Sequence, residues 1–331
     1  MAILSITIPT YNRAKLLLEN LESLIPQIAN NPDLEVLIFD NCSTDNTESI
    51  VLELIKKCTN IRYHKNTSNI GYVGNQINCI ESANGKYIAF LCDDDIYIKG
   101  AVQKILSVVE SKKNYSFIAL NYYSFKDDYN KPHFKNYAPL IDKEFFRSYD
   151  IMNYPSVGHF SGYIFNSSIA KNTLKKLKLE YGDNLCKQFE IHRGIVSHLA
   201  NLSLSKSNFP SYFIGDQILA TRMPTEVDYD LLYHLNYNYL NYYYDLFLKG
   251  FINQNDYNYR IKIVLSNLPK AIFIESTVKN KFDYIILKEK FDQLLFRSFY
   301  YRIIIRPLFY LSQISLVKFL WKHFYKIYKQ N

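Results

Sequence analysis

The sequence predicts an α/β protein in which a mostly parallel sheet is flanked by helices and followed by a helical C-terminal region. Three observations lead to this class. Short apolar runs alternate with segments of helical spacing over residues 1–125, which is typical of βαβ units. Turn-forming residues separate these segments, as expected where strands and helices end. After Pro224 the pattern changes to long aromatic-rich segments, which predicts a separate set of helices.

Each element of the first half is predicted from its own pattern. The strands are short runs of branched and aromatic residues, which favour a pleated backbone. The helices carry apolar residues every three or four positions. The predicted strands are Ser5–Pro9, Glu35–Phe39, Ile61–His64, Tyr87–Cys92 and Phe117–Phe125. The predicted helices between them are Ala14–Ile28, Thr44–Lys57, Tyr72–Ala83 and Lys99–Glu110.

The remainder of the chain is predicted in two parts. Residues 126–157 are polar and contain three prolines, which predicts a long irregular excursion. The next elements are a strand at Val157–Phe165, helices at Ser167–Leu177 and Leu185–Leu199, and a strand at Tyr212–Thr221. The helices after Pro224 are Tyr229–Lys249, Gln254–Leu268, Ser276–Tyr301 and Leu308–Lys329. We therefore predict one domain over residues 1–224 and a helical region over residues 225–331.

The composition is that of a globular protein with a full core, since 48% of the 331 residues are hydrophobic and 21% are charged. No basic leader with a cleavage site opens the sequence, so no signal peptide is expected. The best candidate for a membrane span, Pro307 to Val317, is shorter than the ~20 residues that a span needs. The five cysteines show no C-x-x-C spacing, which favours free thiols in a reducing cytoplasm.

Positive charge is concentrated at the C-terminus. The net charge is +8, and from Gln293 onward the chain carries seven cations and no Asp or Glu. Aromatic residues interleave with these cations, which predicts a peripheral contact of residues 293–331 with the inner face of the cell membrane. The alternative is a helix whose aromatic residues pack on the first domain while its lysines are solvated. No nucleic-acid-binding module is recognisable, so no nucleic-acid partner is expected.

Three adjacent carboxylates, Asp93-Asp94-Asp95, directly follow the predicted strand Tyr87–Cys92. Adjacent anions repel one another, so a folded protein tolerates them where a cation neutralises them or where water reaches them. The first option indicates hard oxygen ligands for Mg²⁺ or Mn²⁺, with phosphate oxygens completing the shell. The second option is a solvated turn whose aspartates cap the next helix.

Four loops are expected at the carboxyl edge of the predicted sheet, where open α/β sheets bind their ligands. They are Pro9–Arg13, Asp40–Asp45, Asn66–Gly71 and Asp93–Asp95. None of them carries the G-x-G-x-x-G of a dinucleotide site or a Walker A sequence. The segment Gly158–Gly162 is not G-x-S-x-G, so hydrolase chemistry has no support. Three aspartates with few phosphate-cradling glycines favour a diphosphate that is held through a divalent ion.

Four segments at this edge resemble a known family in both order and spacing. They are Ser5–Arg13, Glu35–Thr47, Asn69–Gly71 and Phe90–Ile96. Together they resemble the family 2 glycosyltransferases with the GT-A fold, of the bacterial surface-polysaccharide type. The resemblance implies a GT-A catalytic domain at residues 1–224, with a nucleotide-binding half at 1–125 and an acceptor half at 126–224. The helical region would then follow this domain.

The resemblance also implies roles for individual residues. Asp40 would hydrogen-bond the base, and Asp94 would meet the ribose or the diphosphate. Asp95 would bind Mn²⁺ or Mg²⁺, with Asp93 as the second metal ligand. The full set implied for nucleotide-sugar binding is Pro9, Thr10, Tyr11, Arg13, Asp40, Asn69, Gly71, Asp93 and Asp94.

The chain departs from the family pattern at two places. Asn41 and Cys42 stand where many relatives carry Asp and Gly, which leaves open which base is bound. The acidic motif is Asp-Asp-Asp and not the commoner D-x-D, which leaves open which carboxylate contacts the ion.

The family mostly inverts the anomeric centre and places a carboxylate base in the second half of the domain. The candidates for this base are Glu190 and Asp183. Each also has a structural reading, Glu190 as a partner for Arg193 at i+3 and Asp183 as a helix N-cap. His159 and His192 are further candidates for the acceptor cleft or for a metal ligand.

These features predict a metal-dependent, inverting glycosyltransferase of the hexosyltransferase type. Its donor would be a nucleoside-diphosphate sugar, with a UDP-sugar favoured. Its acceptor would be a glycan or lipid-linked molecule in lipopolysaccharide, capsule or lipid-linked oligosaccharide synthesis. One rival is a sugar nucleotidyltransferase, for which a glycine-rich first loop with a basic residue would be expected. The other is a non-catalytic carbohydrate-binding or scaffold subunit with the same fold.

Overall fold

The computed structural model describes residues 2–321 except for 30, 57, 136–137, 156, 191–193, 224–232, 277–283, 316 and 319. The chain divides into two compact units, Met1–Thr225 and Glu226–Asn331. In the described part of the chain, no helix combines the length and the apolar character that crossing a membrane requires.

The first unit is built around one sheet. Its strands are β1 (Leu4–Thr10), β2 (Leu34–Asp40), β3 (Ile61–Lys65), β4 (Tyr87–Phe90), β5 (Ile96–Tyr97), β6 (Phe117–Phe125), β7 (Phe134–Lys135), β8 (Lys143–Phe145), β9 (Tyr163–Asn166) and β10 (Ser211–Arg222). Their order is β3-β2-β1-β4-β9-β6-β10-β5, with β7 beside β6 and β8 beside β10. The first four strands in this order pair in parallel, as do β6 and β10. β9 is antiparallel to both β4 and β6, so β1, β4, β6 and β10 all point the same way.

Helices flank this sheet. They are α1 (Ala14–Ile28), α2 (Thr47–Ile55), α3 (Gly71–Ser82), α4 (Ala101–Val109), α5 (Ser167–Tyr181), α6 (Leu185–Glu190) and α7 (Gly194–Ser205). Ile6 and Ile8 of β1 are fully buried and share one apolar cluster with Leu17 and Leu21 of α1. Burial of the central strands on both faces explains why the sequence presents them as continuous apolar runs. The structure confirms the predicted class, an α/β fold with a mostly parallel central sheet flanked by helices.

Two predicted boundaries shift for reasons that the hydrogen bonds show. β4 ends at Phe90, two residues before the predicted end, and the N–H of Cys92 donates to Ser161 Oγ at 2.8 Å. The helix α2 begins at Thr47 because the Asp45 carboxylate accepts from the Thr47 N–H at 3.1 Å and closes a turn ahead of the helix.

The second half of the unit differs more from the prediction. The strand predicted at Val157–Phe165 is the shorter β9, and a 3₁₀ turn at Phe160–Gly162 precedes it. The helix predicted at Leu185–Leu199 is present as α6 and α7, with residues 191–193 outside the described part of the chain. β5 was not predicted because two residues give no periodicity.

The second unit is helical, as predicted. It contains α8 (Tyr239–Leu248), α9 (Gln254–Ile274), α10 (Tyr284–Leu295) and α11 (Arg306–Leu311), with π-helical segments at Tyr233–Asn238 and Tyr301–Ile305. A capping box between Asn253 and Asp256 starts α9. The helix predicted at Ser276–Tyr301 is interrupted after Leu295, where the Ser298 N–H donates to the Leu295 carbonyl at 2.8 Å. Of the helix predicted at Leu308–Lys329, the start is present as α11, and residues 316, 319 and 322–329 lie outside the described residues.

Candidate active site

The carboxyl ends of the central strands bring the predicted loops together. In β1 and β2, Thr10 lies opposite Asp40. On the other side of β1, Phe90 of β4 lies opposite Thr7. The loops that follow β1, β2 and β4 therefore leave the sheet at one edge, where an open α/β sheet binds its ligand.

The first pair of aspartates is held by residues from the β1 loop. The Thr10 hydroxyl donates to Asp93 Oδ2 at 2.7 Å. Arg13 Nη1 lies 3.1 Å from Asp93 Oδ1 and 3.1 Å from Asp94 Oδ2. Burial raises the pKa of Asp93 to about 6, although Arg13 and Thr10 favour its charged form. Asp94 keeps 28% of its side chain exposed, so it is the more accessible of the two carboxylates.

Asp95 is held by residues from farther along the chain. Its Oδ2 accepts from the Ser161 hydroxyl at 2.5 Å, and its Oδ1 accepts from the Arg222 N–H at 2.9 Å. His159 Nδ1 lies 3.4 Å from Asp95 Oδ2 and is buried without a hydrogen-bond partner among the described residues. Burial raises the pKa of Asp95, and His159 opposes this rise.

Three side chains of this loop form the metal-ligand cluster found in the described residues. One ligand atom from each of Cys92, Asp94 and Asp95 lies within 4.8 Å of the others. Asp93 is outside this cluster, and its two oxygens accept from Thr10 and Arg13. The geometry groups Asp94 and Asp95 with Cys92, and the predicted ligand pair of Asp95 and Asp93 stays a prediction.

The donor chemistry of this cluster fits a hard divalent ion. Carboxylate oxygens are the ligands that Mg²⁺ and Mn²⁺ prefer. Burial, followed by the charges of Asp95 and Asp94, raises the pKa of the Cys92 thiol well above its usual value, so the two carboxylates are the better ligands. The buried nitrogen of His159 is a further donor aimed at the same place.

Arg222 is a site residue that sequence reasoning missed. Its Nε donates to the Asp94 carbonyl at 3.3 Å, and its Nη1 donates to the Lys126 carbonyl at 3.1 Å. Its Nη2 pairs with Glu19 Oε2 of α1 at 2.5 Å. Arg222 thereby ties the acidic loop to α1 and to the end of β6. The sequence did contain a signal for Arg222, because this residue directly follows the predicted strand Tyr212–Thr221, whose carboxyl end lies at the same edge of the sheet.

The side chain of Asp40 lies in the protein interior and not at the surface. Its side chain is fully buried. Oδ1 accepts from the Ser43 N–H at 2.7 Å, and Oδ2 accepts from the Tyr63 hydroxyl. Oδ1 therefore holds the loop after β2 and Oδ2 holds β3, and the predicted contact of Asp40 with a base stays a prediction.

Asn69 and Gly71 belong to a network that orders the next loop. Asn41 Nδ2 donates to Asn69 Oδ1 at 2.8 Å, and Asn41 Oδ1 accepts from the Ile70 N–H at 3.0 Å. Gly71 has φ +78°, a left-handed conformation that glycine adopts without the cost of a Cβ. These contacts place both residues at the edge through the side chain of Asn41.

Two other predicted residues lie at the end of β1. Pro9 is opposite Phe39 in β2. Tyr11 leaves 43% of its surface exposed, so its ring is free to contact a bound molecule.

The predicted catalytic bases are not brought to the cluster by any contact in the described part of the chain. Asp183 is exposed in a 3₁₀ turn, Gly182–Asn184, between α5 and α6. Glu190 is the last residue of α6, and its side chain lies outside the described residues, as does His192. Both assignments stay predictions.

Comparisons with known proteins agree with this geometry. The model of the family "Glycosyl transferase family 2" matches residues 5–170. A GalNAc(5)-diNAcBac-PP-undecaprenol β-1,3-glucosyltransferase of Campylobacter jejuni is 36% identical over 104 residues, which are 31% of this chain and 33% of that protein. The abequosyltransferase RfbV of Salmonella typhimurium is 34% identical over 112 residues, 33% of each chain. The matches thus span about a third of these relatives' length.

Solved structures share the fold at low identity. TarS 1–349 of S. aureus in complex with UDP-GlcNAc has a TM-score of 0.62 and 14% identity, covering 100% of this chain and 92% of that one. The mannosyltransferase of Pyrobaculum calidifontis in complex with GDP-Man and Mn²⁺ has a TM-score of 0.50 and 12% identity, covering 97% and 86%. Because the family model covers half of the chain, including Thr10, Arg13 and Asp93–Asp95, the protein belongs to glycosyltransferase family 2.

Proposed function

We propose that the protein transfers a sugar from a nucleoside-diphosphate donor to a glycan or lipid-linked acceptor, with inversion at the anomeric carbon and with a divalent metal ion. The observation that carries the proposal is the cluster of Asp94 and Asp95 at the sheet edge, beside Arg13. Residues 1–125 would bind the nucleotide and residues 126–224 the acceptor.

The donor is proposed to be a UDP-sugar. TarS, which shares the fold, was crystallised with UDP-GlcNAc, whereas the archaeal mannosyltransferase was crystallised with GDP-Man. The acceptor class follows from the relatives, of which one acts on an undecaprenol-linked glycan and another is an abequosyltransferase. We place the reaction in the synthesis of a bacterial surface polysaccharide, at the cytoplasmic face of the membrane where lipid-linked acceptors lie.

Asp94 and Asp95 would hold the ion, with His159 Nδ1 as a further donor. Bound there, Mn²⁺ or Mg²⁺ would stabilise the negative charge that builds on the leaving diphosphate. Arg13 stays protonated because Asp93 and Asp94 outweigh the effect of burial and raise its pKa. Its half-exposed guanidinium is therefore available to a phosphate oxygen.

A carboxylate would take the proton from the acceptor hydroxyl while that oxygen attacks the anomeric carbon. The bond to the diphosphate breaks on the opposite face, which inverts the anomeric centre. Glu190 and Asp183 are the two candidates for this base.

The test is transfer and donor hydrolysis by the purified full-length protein with a panel of UDP- and GDP-sugars. We expect Mn²⁺- or Mg²⁺-dependent turnover that Asp94→Asn abolishes, while the matched control Asp216→Asn, at an exposed aspartate paired with Lys104, keeps it. Loss of turnover in either Glu190→Gln or Asp183→Asn with donor binding intact would identify the base.

Two outcomes would favour the rival functions. Release of pyrophosphate from a nucleoside triphosphate and a sugar 1-phosphate would indicate a nucleotidyltransferase. Donor binding without turnover for any acceptor or for water would indicate a non-catalytic subunit.

A further inference from the structure

The helical segment 299–311 in the second unit carries apolar residues on two sides. Tyr301, Ile305 and Phe309 are fully buried and belong to the core of the unit. A second set is exposed, and we call it the apolar stripe. The stripe consists of Phe299, Tyr300, Ile303, Ile304, Tyr310 and Leu311.

The spacing of the stripe places its members on one face. The first four lie three or four residues apart, and Tyr310 and Leu311 follow Ile303 and Ile304 by seven residues, which is two helical turns. Phe299 is 71% exposed and Ile303 is 55% exposed. A soluble protein rarely leaves a contiguous apolar face of this kind without a partner. The stripe is therefore an interaction surface.

The charges around the stripe indicate which kind of partner it fits. Arg297 and Arg302 are exposed beside it, whereas Arg306 is already paired with Asp292 at 3.0 Å. No Asp or Glu occurs from residue 293 to the end of the chain. An apolar face beside two exposed arginines, on a segment without Asp or Glu, is complementary to a surface that is apolar inside and anionic outside.

We propose that the apolar stripe docks the protein on an anionic lipid bilayer. The six apolar side chains would enter the boundary between headgroups and acyl chains, while Arg297 and Arg302 would contact lipid phosphates. A second copy of the chain is a poorer occupant, because a two-fold interface would bring the same cations face to face. The surface is independent of the proposed sugar transfer.

The experiment is co-sedimentation of the full-length protein with phosphatidylcholine vesicles that contain or lack phosphatidylglycerol, without donor or metal. We expect retention on the anionic vesicles that falls at high salt. Ile303→Ser with Ile304→Ser should lower the partition coefficient about ten-fold or more, from lost apolar burial. Arg297→Gln with Arg302→Gln should lower it by roughly five-fold for each charge removed.

The matched control is Phe146→Ser with Leu179→Ser, two strongly exposed apolar residues of the first unit, which should leave retention unchanged. Equal retention on both vesicle types, or equal retention of the wild-type protein and both stripe variants, would overturn the proposal. A stripe variant that turns a dimer into a monomer in sedimentation velocity without changing vesicle retention would assign the face to self-association. Donor hydrolysis is also measured for the same variants, so that a loss of vesicle binding can be distinguished from a loss of catalytic activity.

Discussion

The backbone N–H of Arg222 donates to Asp95 Oδ1 at 2.9 Å, although 127 residues separate the two in sequence. The side chain of the same arginine reaches the carbonyl of Asp94. The last residue of β10 therefore fixes both the carboxylate and the backbone of the acidic loop. We infer that Arg222 positions the carboxylates that are proposed to hold the metal ion.

Replacing Arg222 tests this positioning role. Lysine keeps the charge but lacks the planar guanidinium that contacts Asp94, Glu19 and Lys126 together. Because residues that orient metal ligands typically contribute 10–100-fold to metal affinity or activity, we expect Arg222→Lys to lower Mn²⁺ affinity by about ten-fold. Electron paramagnetic resonance titration of free Mn²⁺ measures this directly.

The control for Arg222→Lys is Arg62→Lys. Arg62 pairs with Glu35 near the start of β2, away from the carboxyl edge, so Mn²⁺ affinity should not change. A loss of the same size in both variants would mean that Arg222 acts only through general stability.

Asp93 and Asp94 should respond differently to replacement by asparagine. Asp94→Asn removes a proposed ligand oxygen and should reduce Mn²⁺ affinity at least about ten-fold. Asp93→Asn keeps one acceptor oxygen and replaces the other by an amide NH2, so it breaks the contact with either Thr10 or Arg13 and should instead lower the free energy of unfolding by about 1 kcal/mol. Parallel metal titrations and urea unfolding curves separate the two effects, and the reverse pattern would indicate Asp93 as the ligand.

Cys42 occupies a left-handed conformation with φ +68°, which costs a residue with a Cβ roughly 1–2 kcal/mol. The family resemblance implies glycine at this place, and glycine adopts this conformation without the cost of a Cβ. We expect Cys42→Gly to raise the free energy of unfolding by about 0.5–1 kcal/mol, after subtraction of glycine's greater freedom in the unfolded chain. Cys42→Ala, which keeps the Cβ, should give no gain in the same urea experiment.

We expect the carboxylate of Asp142 to make the free energy of unfolding depend on pH. Burial raises its pKa, but the Gly215 N–H, Lys104 and the Tyr212 hydroxyl outweigh this and hold the pKa below the ordinary value of 3.8. The stabilisation is therefore present above pH 3.8 and is lost as the pH falls through the folded-state pKa. We expect Asp142→Asn to cost about 2 kcal/mol at pH 7 and at pH 5, with a smaller difference from the wild-type protein at pH 3. A difference that grew on acidification would contradict the assignment.

Part of the site was predictable because of the way its strands are buried. β1, β2 and β4 are covered on both faces, so each appears in the sequence as an apolar run that stops where the strand meets solvent. Parallel order then requires the following loops to share an edge. The contacts of Thr10 and Arg13 with the acidic loop follow from that order.

The contribution of Ser161 depends on the antiparallel insertion of β9 between β4 and β6, and that of Arg222 depends on the antiparallel pairing of β10 with β5. No local pattern encodes these pairings, because they depend on contacts between segments far apart in sequence. The same limit applies to the choice between Asp93 and Asp94. Three adjacent aspartates look alike in sequence. Arg13 reaches both Asp93 and Asp94, and the Thr10 hydroxyl, which donates to Asp93 alone, distinguishes the two.

The most direct test of the central claim is isothermal titration calorimetry of UDP and GDP with the full-length protein, in Mn²⁺ and in EDTA. We expect one nucleotide to bind in Mn²⁺ and its affinity to fall at least about ten-fold in EDTA. Asp94→Asn should show the weaker affinity even with Mn²⁺ present. Binding of equal strength in Mn²⁺, in EDTA and in Asp94→Asn, or no binding of either nucleotide, would contradict a metal-held diphosphate at Asp94 and Asp95.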